Sequence, residues 1–173
     1  EQFRYHFHLP EIMARYPSDR VQVTNRAKMG ATVSKGLSLV EHDAARGLDA
    51  DYALICYGGN DSDYDWAAIA ADPAADHQPH TKRETFRQTL ESMLNVLYRQ
   101  GVQPVLMSLP PIDPRRYLNF ICRNGLDRSA ILRWLGDEDM IYRHQELYSD
   151  TVTELAYANS VPLIHVRQAF LAD

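Results

Sequence analysis

Short apolar runs alternate along the chain with amphipathic or polar stretches, and the two kinds of run predict different elements. Val21 to Val23, Tyr52 to Tyr57, Pro104 to Leu109 and Val161 to Val166 are brief, rich in branched and aromatic residues, and each is followed by a turn or a polar segment. Such runs predict strands. The run Tyr52 to Tyr57 (YALICY) is apolar on both alternating faces, the pattern of a strand covered by helices on both sides of a parallel sheet. Between Thr85 and Gln100, Phe86, Leu90, Met93, Leu94 and Leu97 recur at spacings of three and four, and the stretch closes on a basic last turn and Gly101. That predicts a helix with one buried stripe and a glycine stop. Asp150 to Asn159 repeats the arrangement with Val152, Leu155 and Ala156 inward, and Leu37, Val40 and Ala44 predict a shorter helix before the strand at Tyr52. Alternating strands and helices imply an α/β fold with a parallel sheet.

Two stretches break the rhythm. Asp61 to Thr81 is rich in Asp, Ala, Pro and His, and Pro110 to Tyr148 carries Pro110, Pro111 and Pro114, a predicted short helix Ser129 to Leu135, and then Asp137 to Tyr148. Both follow the carboxyl ends of predicted strands, the edge at which open α/β sheets bind ligands, so they are expected to wall a site. Leu126, Ile131, Leu132 and Trp134 can equally extend the core. No internal repeat or linker divides the chain, which reads as a single domain, 1–173, with a mostly helical insertion at about 110–148.

Composition narrows the class. At 45% hydrophobic and 24% charged residues, the 173-residue chain has the make-up of an ordinary globular domain. No apolar run approaches the roughly 18 to 20 residues that span a bilayer, so no membrane span is expected. Eighteen Lys plus Arg stand against 23 Asp plus Glu, a net charge of −5 with the signs interspersed, and nucleic acid is not expected as a partner. Cys56 and Cys122 show neither a CxxC pattern nor metal-ligand spacing, which fits a reducing, cytoplasmic compartment. The chain starts at Glu1 rather than at a methionine, so the expectation is a truncated or partly given version of a longer protein, with room for a removed signal peptide.

Tyr57-Gly58-Gly59-Asn60-Asp61 follows the buried strand directly. The two glycines allow a sharp turn and leave the Asn60 amide exposed at the sheet edge, where its NH₂ can donate to a developing oxyanion. The plainer reading is a Gly-Gly turn with Asn60 and Asp61 capping the next segment. Upstream, Asn25-Arg26-Ala27-Lys28-Met29-Gly30-Ala31-Thr32 precedes a predicted helix and offers the Gly30 N–H to a neighbouring loop.

In this order, the two segments resemble blocks of the SGNH hydrolases, the GDSL-type lipase and acylhydrolase family. Gly30 matches the second-block glycine, Asn60 the third-block asparagine, and Gly58-Gly59-Asn60-Asp61 the third-block motif in full. The resemblance extends through Thr85 to Gln100, PVLMSLPP and AYANSVPLIHV. It implies a flavodoxin-like three-layer α/β/α fold and cofactor-free hydrolysis of an acyl ester, or an acylated carbohydrate, by a serine nucleophile. Gly30 and Asn60 would form the oxyanion hole. The family's first block, Gly-Asp-Ser, should precede Gly30, but the first serine is Ser18, in Tyr-Pro-Ser-Asp. The last block, Asp-x-x-His, does not follow the strand at Leu163, and His165 sits on or at the end of that strand, where an aspartate is expected. Nucleophile and base are therefore expected outside these residues. The competing reading is a non-catalytic SGNH-like domain that binds a carbohydrate or an acylated small molecule.

The remaining candidates are substrate contacts and metal ligands. Asp61, Arg115, Tyr117 and Trp134 are candidate substrate-binding residues, with Arg116 and Arg123 near the last three in sequence; guanidinium groups suit a carboxylate and the aromatic rings a sugar. Asp61-Ser62-Asp63-Tyr64-Asp65 opens like a calcium loop, but Trp66 occupies the glycine position and Asp72 the closing glutamate position. His6 with His8, and His77 with His80, have zinc-compatible spacing without a matching second pair, and read as loop histidines. Neither a P-loop nor GxGxxG occurs, so no cofactor is implied. Oligomeric state is not legible.

Overall fold

A computed structural model describes residues 21–172. Ser18, His6 and His8 lie outside the described residues. The elements run α1 (Val33–Ala45), β1 (Tyr52–Ile55), α2 (Trp66–Ala71), α3 (Arg83–Arg99), β2 (Gln103–Met107), α4 (Pro114–Cys122), α5 (Arg128–Leu135), α6 (Asp139–Ala158), β3 (Leu163–Ile164) and α7 (Val166–Ala172). The fold is α/β, as the alternation predicts. The strands form a parallel sheet in the order β1-β2-β3, with Leu54 opposite Val105 and Leu106 opposite Leu163.

The predicted stripe of α3 is buried in full: Phe86, Leu90, Met93, Leu94 and Leu97 are at most 2% exposed. They pack with Val33 of α1, Ile55 and Leu106 of the sheet, and Tyr148, Val152 and Leu155 of α6. Two helices end alike. After α3 the Val102 N–H donates to the Leu97 carbonyl and the Gly101 N–H to that of Tyr98; after α6 Val161 donates to Ala156 and Ser160 to Tyr157. Both are Schellman motifs, and each delivers the chain straight into the following strand. Ser160 takes the left-handed position that Gly101 takes after α3, with φ of 54°.

Four expectations are corrected. Val21 to Val23 forms no strand; Val21 and Val23 are each 51% exposed, so among the described residues nothing rewards extended pairing there. The run YALICY is not covered on both faces among the described residues: Ala53 and Ile55 face the core, whereas Tyr52 and Leu54 are each 66% exposed. Asp137 to Tyr148 and Asp150 to Asn159 are one helix, α6, so the boundary expected at Tyr148 falls inside it. Its buried face continues back through Ser149, Tyr148, Gln145 and Ile141, and polar residues inside that stripe obscured the continuity. Finally, the stretch Asp61 to Thr81, for which no element was predicted, holds the helix Trp66–Ala71, while Pro114–Cys122 adds an unplaced helix to the mostly helical insertion; each is started by an aspartate, Asp65 or Asp113, that accepts from a first-turn N–H. Among the described residues no helix is long and apolar enough to cross a membrane. Cys56 and Cys122 are both free thiols.

Candidate functional site

The loops leaving β1 and β2 lie on one edge because the strands are parallel, and the second hydrophobic cluster builds outward from that edge. It joins Ile69 of α2, Leu118 and Ile121 of α4, Ile131 of α5 and Ile141 of α6. The site therefore has two parts: the Gly-Gly-Asn-Asp loop after β1, and an aromatic pocket beside it.

Gly58 makes the turn. Its φ of 128° lies where side chains are strained, and a Cβ would stand 2.9 Å from Cδ1 of Leu109, so another residue there is strained and requires Leu109 to shift. A Cβ on Gly59 would meet nothing within 4 Å, and the residue lies on the pocket wall. Segment 80–81 clamps the loop from outside. The Thr81 N–H donates to the Asp61 carbonyl at 3.0 Å, the His80 N–H to that of Asp63 at 2.8 Å, and His80 Nδ1 bonds the Asn60 carbonyl at 3.0 Å. Thr81 is itself held, its carbonyl accepting from the Tyr148 hydroxyl at 2.6 Å.

The two segments singled out by the sequence meet here. Asn60 Nδ2 donates to the Ala31 carbonyl at 3.4 Å, next to Gly30, whose φ is 74°. Below them Asp61, fully buried, accepts the Val33 N–H with Oδ1 at 3.0 Å and Oδ2 at 3.2 Å. Val33 opens α1, so one carboxylate ties the start of that helix to the turn after β1. Burial pushes the Asp61 carboxyl above the usual carboxylate range, while the Thr81 side chain and the backbone N–H of Val33 hold it down. Close packing sets the same spacing independently: a Cβ on Gly36 of α1 would stand 2.4 Å from the Tyr57 ring.

Asp61 is thus a strut and not a surface for substrate, which corrects its assignment as a substrate contact. Its neighbours in the acidic run are equally committed. Asp63 accepts from Trp66 Nε1 and from the Tyr117 hydroxyl, each at 2.7 Å, and Asp65 caps α2 through the Ala68 N–H. Three carboxylates that read as a cation loop serve three separate groups of donors. Among the described residues no cluster of three or more His, Cys, Asp or Glu is placed to hold a metal ion.

The pocket has a volume of about 250 Å³. Tyr117 and Trp134, both predicted substrate contacts, line it together with Tyr64, Trp66, His144 and Gln145. The rings stand edge to face: Tyr64 to Trp134 at 4.9 Å and 71°, Trp66 to Trp134 at 6.4 Å and 83°. Tyr64 and His144 share a hydrogen bond of 3.0 Å between the hydroxyl and Nε2. Burial, then the nearby Arg83, pulls the His144 imidazole below its ordinary value, and burial pushes the Tyr64 hydroxyl up to about 12. The pair is neutral at pH 7. Burial, then the Asp63 charge, raises the Tyr117 hydroxyl as well, so it stays a donor to that carboxylate.

Arg115 is not in the pocket wall; its side chain is 78% exposed and pairs with Glu138 at 3.4 Å. Arg116 is exposed beside Asp113, and Arg123 lies over the Phe120 ring at 3.5 Å. His165 follows β3 and is exposed. His77 bonds the Asp72 carbonyl at 2.7 Å, with its ring 5.7 Å from that of Trp134.

The sequence reading missed Tyr64, Trp66, His144 and Gln145. Gln145 carried a signal. Stepping the α6 stripe of Val152 and Leu155 back by three and four lands on Tyr148, Ser149 and Gln145, which puts two polar side chains on the buried face. Ser149 Oγ accepts the Leu109 N–H at 3.2 Å and Gln145 Nε2 donates to the Pro110 carbonyl at 2.8 Å, so both brace the loop after β2. No protein-family model matches the chain, and comparison with curated proteins finds no match.

Proposed function

We propose that the protein is an SGNH-type ester hydrolase whose oxyanion hole is built from the Gly30 N–H and the Asn60 side chain. The observation that carries this reading is the junction of two segments 29 residues apart, the Asn60 amide reaching the Ala31 carbonyl beside Gly30. The buried Asp61 beneath them keeps both donors at one spacing, and preorganised donors are the largest single contribution in acyl transfer. On this reading the sheet is of the flavodoxin-like kind and is meant to carry helices on both faces, although the face of Tyr52 and Leu54 is uncovered among the described residues. The exposed apolar face of Tyr52, Leu54 and Ile164 supports that, because such a face is made to be covered.

In the proposed reaction a serine oxygen attacks the ester carbonyl while its proton passes to a histidine. The tetrahedral oxyanion is held by Gly30 and Asn60, the alcohol leaves with the proton, and water then releases the acid by the same steps. Among the described residues no serine hydroxyl lies within hydrogen-bond distance of a histidine, so the nucleophile and base belong to polypeptide outside residues 21–172. No cofactor takes part.

The test uses the full-length protein with short acyl esters and a fluorophosphonate. Turnover is expected together with a covalent adduct on a serine, and Asn60→Ala should lower kcat by about 10²- to 10³-fold. Absence of both adduct and turnover overturns the proposal. The second reading, a domain that binds without hydrolysing, is favoured by an aromatic pocket that is complete without any nucleophile. Calorimetry with acylated sugars and short acyl chains tests it directly, and binding without turnover would select it.

A further inference from the structure

Of the eight glycines, six lie at positive φ and Gly36 sits under the Tyr57 ring, so all but one are explained by the backbone or by packing. Gly59 is the exception. Its φ lies outside the left-handed region, and a Cβ on it would meet nothing within 4 Å among the described residues. Mobility does not account for it either, because the turn is fixed around Ser62. The Ser62 N–H donates to the Gly58 carbonyl at 2.9 Å and the Ser62 hydroxyl to the Gly59 carbonyl at 3.0 Å. The remaining use of a glycine is to let something outside the fold come close to the backbone.

Gly59 directly precedes Asn60 and also lines the aromatic pocket, so it is the step between the proposed oxyanion hole and the cavity. The walls indicate what crosses that step. Tyr64, Trp66, Tyr117 and Trp134 stand around the cavity with Ile112 and Met140. Among the described residues no Lys or Arg lines it, and its one carboxylate, Asp63, is already shared by Trp66 Nε1 and the Tyr117 hydroxyl. An anionic group would lose its water there and find no cation. An apolar ring gains contact with edges and faces alike. At about 250 Å³ the cavity exceeds the roughly 150 Å³ in which an apolar protein cavity holds benzene.

We infer that Gly59 is bare because the substrate lies across it, with the ester carbonyl at Gly30 and Asn60 and one uncharged, apolar, ring-sized arm in the aromatic pocket. Resting on the hydrolase reading, this makes the substrate class esters with such an arm, and it makes residue 59 the one that decides whether the arm can pass.

The chain supplies its own reporter, because its only two tryptophans, Trp66 and Trp134, both line the pocket. Tryptophan emission of the full-length protein is titrated with toluene, which needs the pocket alone, and with two uncleaved ester analogues that must cross residue 59. These are N-benzylacetamide and the N-methylamide of phenylacetic acid, which carry the ring on opposite sides of the carbonyl group. In the wild type, toluene and at least one amide should perturb the emission, and the amide that binds names the arm. Gly59→Val should weaken that amide about tenfold by crowding a close contact, and change toluene by under about twofold. Silent emission with toluene or with both amides overturns the inference, as do equal losses for toluene and amide, or no loss. Gly59→Ala should leave the thermal midpoint unchanged or raise it, as at any position where glycine is not required. A lower midpoint would give the glycine a structural reason and overturn the inference too. If Gly59→Val does not fold, Gly59→Ala decides by the same comparison: the amide should lose more than toluene, and equal behaviour sinks the idea. In turnover, the kcat/KM of benzyl acetate or methyl phenylacetate relative to ethyl acetate should fall about tenfold in Gly59→Val. Amide binding that depends on residue 59, without ester turnover, rejects the hydrolase reading alone. Turnover whose ratio ignores residue 59 rejects this inference alone.

Discussion

The two hydrophobic clusters are built to different ends. The one around the sheet is close to dry and mostly aliphatic: Val33, Leu90, Leu97, Leu106 and Leu155 interdigitate at 1% exposure or less, with Phe86 and Tyr148 among them, their rings tilted at 58° and 5.2 Å apart. The one beyond the sheet edge has a small aliphatic centre, Ile69, Leu118 and Ile131, under a rim of partly buried rings, and a cavity stays open in it. Rigid rings meeting edge to face cannot fill space as branched aliphatic chains do. One cluster thus sets the distance between Gly30 and Asn60, and the other shapes what can lie beside them.

Substitutions can break that contrast. Phe86→Ala, in the dry cluster, should lower unfolding free energy by about 3–5 kcal/mol in a denaturant titration, since the surrounding helices and sheet cannot close the hole. Leu118→Ala should cost less overall, about 2–4 kcal/mol, while changing tryptophan emission, because the collapse is taken up by the cavity under Trp66 and Trp134. A larger loss at Leu118 than at Phe86 would contradict the division of labour. Asp61→Ala should cost about 1–3 kcal/mol by leaving the Val33 N–H unpaired, with ester turnover falling further than stability alone explains. Asp61→Asn, which keeps an acceptor, should recover most of the stability.

The smallest effect is a pH dependence confined to the pocket. The His144 imidazole titrates below the 6.5 of the unfolded chain, so between the two values the unfolded state binds more protons. The contribution of neutral His144 is therefore complete above about pH 6.5 and is lost as pH falls through that window. His144→Gln should flatten this part of the stability curve between pH 7.5 and 5.5, measured by thermal unfolding. An unchanged slope would place the titrating group elsewhere.

Legibility in the sequence followed the reach of the interactions. Helix α3 was readable because its burial and its stop depend on neighbours three to five residues away. Helices α2 and α4 escaped because their apolar stripes are short, although Asp65 and Asp113 stood at their starts. Tyr117 and Trp134 were picked out by residue type and do line the pocket; Arg115 was chosen on the same ground and faces Glu138. Residue type names a capacity for contact, and only packing assigns its direction.

By itself the sequence determined the α/β alternation, the α3 stripe and the glycine turn after β1. All of these rest on local backbone preference and on the periodicity of burial. The tertiary structure alone decided that Asp61 is a buried strut, that Tyr52 and Leu54 share an open face, and that Gln145 braces the loop after β2 through the Pro110 carbonyl. The Asp61 and Gln145 outcomes depend on partners 28 and 35 positions away. Which distant groups meet is set by the competition of the whole core for space, and no local pattern encodes it.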